Sequence, residues 1–535
     1  MSSAPVSEDG YPFPVRLDSH RSGAQTEVAD VTVSVVDKKV IEFRLHYPLN
    51  EKKKVSRYRL SLYLFVPAKL GINKHTYHSG DFYRDLQTYF SFDPPSSVVS
   101  QIAVDSGPGP LLSRIIRQSL ELWPTPAPGR VERISGDLRL LGCIVGAHIQ
   151  AAADSLAADI KMLGERTGAI SEQSVIEIRA GVKGLLADLA VMVPRIRDLA
   201  VRLEDSLVPD VVQEVYRWVA AHITLTIEAE CTRVVDYLDR DSELARRLAD
   251  VRTSLVDVIT AEQTEQFHAG YLRPLDGDPS TADYYNYRRR VVKEFVRSVL
   301  FLDVARGKDG RPIAEMAAAI AAGSAMLFSS IMLMLTQMRY GFYTTPFVLI
   351  IVFTYILKDR IKDWMKRYVL SKASPLHSDY SIELQDKRSG ENIGRCRELF
   401  SFVSSSKLPR NVFESRHDEP KNIVEIQSKP EAIIRYDKRV ALHSGRRLLR
   451  YPVSNSVQDV IRIDLSEILQ RAKSSERPIR VYQPDRDVVD MVSSTNTYHL
   501  NMVLVERAKG AQEGTVIGRV RVVSNKDGIK RIEAV

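Results

Sequence analysis

From Met316 to Met338 the chain carries no charged residue, and after the interruption Arg339-Tyr340-Gly341 a second uncharged run extends from Phe342 to Leu357. No other feature constrains the fold so tightly. At 1.5 Å per residue the first run makes roughly 34 Å of helix, enough to cross a hydrocarbon layer of about 30 Å. The second reaches about 27 Å if counted from Tyr340, a minimal span. Pro346 lies early in it, where a missing backbone donor costs least. The pattern predicts a two-helix transmembrane hairpin over 316–357, with spans at 316–338 and 341–357.

The flanks predict its orientation. Arg288, Arg289, Arg290, Lys293, Arg297, Arg306, Lys308 and Arg311 precede the first run. Lys358, Arg360, Lys362, Lys366, Arg367 and Lys372 follow the second, whereas the connecting turn holds only Arg339. The positive-inside rule therefore puts both termini in the cytoplasm, giving a two-pass protein of a bacterial-type cytoplasmic membrane. Apolar residues at Tyr287, Val291, Val292, Phe295, Val299 and Leu302 follow helical spacing, as do Ile361, Trp364, Met365, Tyr368 and Val369. Two basic amphipathic helices are thus expected at 284–305 and 358–372. Their membrane-surface set would be Arg288, Arg289, Arg290, Lys362, Trp364, Lys366 and Tyr368. The net charge of +8 is concentrated beside the hairpin, which favours an anionic leaflet of the lipid bilayer over nucleic acid as partner.

Neither span contains an ionisable residue, which argues against a pore or proton relay. The first is rich in small residues, and Ala318/Ala322, Ala319/Gly323 and Ala321/Ala325 have the spacing that lets helices approach closely. Ala318, Ala319, Ala322 and Gly323 are singled out as the helix-packing residues, serving either the hairpin itself or a homo-oligomer.

The remaining sequence predicts an α+β multi-domain membrane protein. Residues 1–27 are polar and expected to be disordered. A β-rich α/β region at 28–122 has strand-like runs at Val31–Val36, Val40–Tyr47 and Tyr58–Val66. The last is apolar on both faces, as in a sheet covered on each side. Ser79 is expected to cap a helix presenting Phe82, Tyr83, Leu86, Tyr89 and Phe90. A helical bundle follows at 130–270, with helices near 131–165, 172–204, 209–240 and 242–266. A β-rich cytoplasmic domain is expected at 376–535, with 405–421 as a loop and a closing meander after Tyr498.

Chemical motifs are sparse. No Walker loop, GxGxxG, HExxH or GxSxG occurs, and no cofactor is expected. Cys143, Cys231 and Cys396 are far apart, which fits core residues in a reducing compartment better than a disulfide framework. His75, His78 and Asp81 are the only local metal candidates, weakened by Ser79-Gly80, which interrupts their common face. Arg446, Arg447 and Arg450 form a basic cluster. The sequence therefore favours a membrane-anchored scaffold or tether with unidentified protein partners. The alternatives are an enzyme with a composite site between the cytoplasmic domains, or an accessory subunit of a transport complex.

Overall fold

The computed structural model describes residues 15–17, 29–49, 54–94, 102–104, 107–108, 110–120, 129–164, 171–203, 208–271, 279–308, 311–340, 344–373, 378–387, 390–417, 431–443, 456–473, 476–483, 487–507 and 514–534. It is a mixed α+β chain with large sheets. The strands β1 (Val15–Leu17), β2 (Ala29–Asp37), β3 (Val40–Pro48) and β4 (Val55–Pro67) come first. The short helix α1 (Ser79–Asp85), β5 (Leu86–Phe92), β6 (Ala103–Val104) and β7 (Gly107–Pro108) follow. Then come α2 (Pro110–Leu120), α3 (Arg130–Gly164), α4 (Glu172–Leu203), α5 (Asp210–Asp239), α6 (Ser242–Arg247), α7 (Ala249–His268) and α8 (Pro279–Arg297). Beyond β8 (Leu302–Lys308) lie the hairpin helices α9 (Arg311–Arg339) and α10 (Thr345–Ala373). The last third holds β9 (Tyr380–Asp386), β10 (Asn392–Val403), α11 (Arg410–His417), β11 (Glu431–His443), β12 (Ser456–Asp464) and α12 (Ser466–Gln470). It ends with β13 (Glu476–Gln483), β14 (Val488–Thr495), β15 (Tyr498–Glu506), β16 (Thr515–Ser524) and β17 (Ile529–Ala534).

These elements form two compact units. One draws on Met1–Phe90, Leu302–Gly445 and Ser456–Val535, the other on Ser91–Phe301 and Arg446–Asn455. In the first, a five-stranded sheet (β1-β2-β3-β12-β5) faces an eight-stranded one (β17-β16-β15-β4-β11-β10-β9-β8). The N-terminal and C-terminal strands, expected as separate β-rich domains, share both sheets. β4 lies between β11 and β15, with Leu62 opposite Tyr436 on one side and Leu504 on the other. β3 pairs with β12. Pairing partners this distant leave no local mark on the sequence.

β4 has the doubly apolar character that its sequence predicts, for Tyr63, Leu64 and Phe65 are all buried in succession. Tyr63 and Phe65 face outward and are covered by Val412 of α11 together with Ile433, Val503 and Val505. The segment 405–421 is therefore not simply a loop. One apolar face, Val412 with the half-buried Leu408, docks it as a lid on the sheet. Val15–Leu17 lie within the stretch expected to be disordered. They pair with β2, and Leu17 packs where a Cβ at Gly518 would stand. The helix at Ser79 ends at Asp85, where Leu86 turns extended and begins β5.

The second unit is a bundle in which α3, α4 and α5 follow the predicted boundaries to within a few residues, whereas the single helix expected at 242–266 is two, α6 and α7, divided at Leu248. α5 is its axis, packing on α3, α7, α8, α4 and α6. Val212, Val219, Ile223, Ile227, Cys231, Val234 and Leu238 form the buried stripe of α5. Pro209 caps the start of this helix. All three cysteines are buried. Burial raises the Cys231 thiol to about 12, which removes it as a nucleophile at neutral pH.

Candidate functional site

α9 and α10 pack on each other through small residues: Ala317, Ala321, Ala325 and Thr336 are buried on α9, and Thr354 on α10. Of the expected packing set, Ala318 and Ala322 are half-buried at the edge of this seam. Ala319 and Gly323 are exposed, with nothing within 4 Å of a Cβ placed at Gly323. The seam thus uses the third small-residue pair, Ala321/Ala325, extended one turn back to Ala317. Outside it, Met326, Leu327, Ile331 and Met334 of α9 and Leu349 and Phe353 of α10 face outward.

Among the described residues two helical stretches are long and apolar enough to cross a membrane, Arg130–Leu163 in α3 and Glu315–Arg339 in α9. They differ in surroundings. In α3, 61% of the apolar window is buried inside the bundle, against 11% in α9. The expected second span is not among them, because the charge-free run of α10 ends at Leu357. The basic helix expected separately at 358–372 is the continuation of α10, since neither Gly nor Pro breaks the chain between Leu357 and Ala373. Lys362, Trp364, Lys366 and Tyr368 are exposed on it.

The helix expected at 284–305 ends at Arg297, and Leu302 opens β8 instead of extending the apolar stripe. Its apolar face is occupied: Val292 and Val296 are fully buried, and Phe295 meets Trp218 of α5 at 5.8 Å. A helical turn of about 100° per residue separates the three arginines. Arg288 stacks over Tyr271 at 3.2 Å, Arg290 lies over Tyr287 at 5.8 Å, and Arg289 lines a cleft in the bundle.

The metal candidates serve local structure. Asp81 accepts a 2.9 Å hydrogen bond from the backbone N–H of His78 and lies 3.5 Å from Arg84. The hydrogen bond from His78, with Arg84 assisting, holds its carboxyl below the usual range. His75 is exposed in the preceding turn, where its N–H donates to Asn73. Among the described residues no group of three or more His, Cys, Asp or Glu has metal-binding geometry. Arg446, Arg447 and Arg450 lie outside the described residues.

A cluster of buried charge lies between the sheets of the first unit, where strands from both chain ends meet. Lys438 of β11 and Asp459 of β12, 1% and 0% exposed, pair at 2.7 Å, and Tyr47 of β3 donates to the same carboxylate at 3.0 Å. Beside them Glu398 accepts from Tyr436 at 2.6 Å and from Arg306 at 3.0 Å. Burial opposes the charged ammonium of Lys438, but Asp459, Cys396 and Glu398 outweigh it and raise its pKa. Burial likewise raises Asp459, against the pull of Lys438. The core is charge-balanced by two cations and two carboxylates. Each charged group has a close partner, and all but Arg306 are closed to solute, so the arrangement cements the sandwich.

The bundle contains the open site. Between α3, α5 and α8 a cleft of about 60 Å³ is lined by Arg289, Lys293 and Arg297 of α8, His222 and Thr226 of α5, and Gln150 of α3 among others. Gly146 makes room for the imidazole, since a Cβ there would stand 3.0 Å from His222 Nε2. Burial first, and then Lys293, Arg297 and Arg289, lower His222 to about 4, so its ring is neutral at physiological pH. Arg289, expected at the membrane surface, lines this cleft beside His222. The signal that would have united them is the i, i+4, i+8 spacing of Arg289, Lys293 and Arg297, matched by His222, Thr226 and Glu230 on α5. Compared with models of protein families, with curated proteins and with solved structures, the chain has no match in any of the three.

Proposed function

We propose that this is a membrane-tethered interaction protein, anchored by the α9–α10 hairpin, with both termini cytoplasmic and no catalytic role. One observation carries the anchor: the hairpin buries alanines in its seam and turns its large aliphatic residues outward. A water-soluble fold would do the reverse, because each large apolar side chain moved out of water contributes roughly 1–2 kcal/mol at this partial exposure. Basic Lys358, Lys362 and Lys366 at the end of the apolar run, with exposed Trp364 and Tyr368, fit the headgroup layer of an anionic leaflet.

The interaction role is supported by the ribbon β13–β14. Among the described residues its two strands pair only with each other. They expose Ile479, Val481, Tyr482, Val488, Val489 and Met491. A lone two-stranded ribbon is marginal in water, and apolar residues on it gain from a partner's cover. The exposed Ala319–Gly323 row offers a second contact, within the bilayer, for another copy of the chain.

Reporter fusions at both termini test the topology, and both should read cytoplasmic, with the protein resisting alkaline extraction from membranes. An external reading at either end, or release by alkali, overturns the anchor. For the ribbon, a partner that co-purifies in mild detergent should be lost from Val481→Asp/Val489→Asp. Retention of the same partner by that variant would leave the ribbon without this role.

A further inference from the structure

The two helices of the hairpin differ in how far they stay apolar, and their packing holds that difference in place. α9 and α10 have 29 residues each and are joined by one short connection between Arg339 and Thr345. Ala317 near the start of α9 and Thr336 near its end are both buried, so the helices lie side by side along their length. A residue of α10 therefore stands level with the α9 residue equally far from the connection. Lys358 is level with Met326. The charges Lys358, Asp359, Arg360, Lys362 and Asp363 thus run beside the uncharged, alanine-rich half of α9.

The large outward side chains follow the same division. Met326, Ile331 and Met338 on α9, with Val348, Phe353 and Ile356 on α10, mark a belt that both helices share. On α10 the belt is Thr345–Leu357, thirteen residues, or about 20 Å at the helical rise. α9 alone is long enough for a hydrocarbon layer of about 30 Å. Immersing all of it would carry five charges of α10 into the hydrocarbon, which costs far more than leaving alanines outside. Lys358 does not lengthen the belt by reaching outward, because its ammonium lies 4.3 Å from the ring of Tyr355, one turn nearer the connection. Tyr355 with Lys358 at one end, and Arg339 with Tyr340 at the other, are the aromatic and basic residues that suit the two edges of a bilayer.

We infer that the hairpin is matched to a thin bilayer, with a hydrocarbon layer of about 20 Å, and is disfavoured in one of average thickness. The inference rests on the anchoring role proposed above and adds which membrane the anchor selects. In a thicker bilayer, either Lys358 and Arg339 are drawn among the acyl chains or the lipids compress around the hairpin, and each ångström of mismatch adds to the cost.

The test uses the full-length protein, dialysed from detergent into vesicles of dimyristoleoyl-, dioleoyl- or dierucoylphosphatidylcholine. Each set contains the same share of phosphatidylglycerol of matching chain length. The fraction that floats with the vesicles after an alkaline wash should be highest in the dimyristoleoyl set and roughly tenfold lower in the dierucoyl set. Lys358→Leu/Asp359→Leu/Arg360→Leu extends the uncharged run through Ile361, about 6 Å further, and should move the optimum to the dioleoyl set. Arg367→Leu removes the same net charge beyond the end of the belt and should keep the wild-type preference. A melting curve of each variant in detergent shows whether its soluble units are folded. Equal flotation in all three sets, or an optimum that the triple variant leaves in place, overturns the inference and leaves the anchor standing. Loss of flotation in every set overturns the anchor and the inference together.

Discussion

Lys438 Nζ and Asp459 Oδ1 meet at 2.7 Å in the centre of the sandwich, one from each sheet, with almost no solvent exposure. The pair joins strands that have no hydrogen-bonded edge in common, β11 in the eight-stranded sheet and β12 in the five-stranded one. Removing one partner leaves the other charge buried and uncompensated. Lys438→Ala should therefore destabilise the sandwich by about 3–5 kcal/mol, whereas Lys438→Met with Asp459→Leu should recover most of that loss. Thermal unfolding of the two variants measures the difference, and equal melting temperatures would refute it.

Gly394 is the tightest glycine in the sheet. A Cβ there would stand 2.2 Å from the backbone oxygen of Ala441, which its strand pairing holds in place. Gly394→Ala should cost about 1–3 kcal/mol as β10 shifts against β11, seen as a lower melting temperature. Gly323→Ala, in open space, should be silent by the same measure.

Two titrating groups should pull stability in opposite directions with pH. His222 is lowered to about 4 from 6.5, chiefly by burial and then by Lys293, Arg297 and Arg289. Between those values the unfolded chain takes up a proton that the native ring refuses. Its contribution is complete above pH 6.5 and is lost as pH falls toward 4. The melting temperature should fall across that window more steeply in the wild type than in His222→Asn.

Asp85 has the other sign. Burial raises its carboxyl to about 6, in spite of the hydrogen bond from Tyr77 at 3.1 Å. The native state holds this proton after the unfolded state has lost it, so stability falls as pH rises from 3.8 to about 6. Asp85→Asn should raise the melting temperature at pH 7.5, with the gain vanishing near pH 4.

The hairpin seam can be tested by size. Ala321 is wholly buried against α10, and Ala321→Leu should force the helices apart. Gly323→Leu should leave the hairpin intact, because the position faces open space. If the Ala319–Gly323 row joins two copies, Gly323→Leu alone should weaken cross-linked oligomers in detergent.

By itself the sequence determined the elements whose causes are local. The charge-free run of α9, the 3.6-residue stripes of the bundle and the doubly apolar β4 each carry their periodicity within one segment. The turn at Asn525–Gly528 is likewise local, with Asn525 Oδ1 accepting from the N–H groups of Asp527 and Gly528. Only the tertiary structure decided which distant strands are neighbours, and so made one sandwich from two expected domains. It also decided which face of α8 meets its own bundle, turning Arg289 from an expected lipid contact into the wall of a cleft. The hairpin remains the strongest signal in the chain, but the structure selected Ala321/Ala325 from its three small-residue pairs for the seam and joined its second helix to the basic segment beyond. Helical periodicity assigns a residue to a face, and what covers that face depends on contacts between segments far apart in the chain.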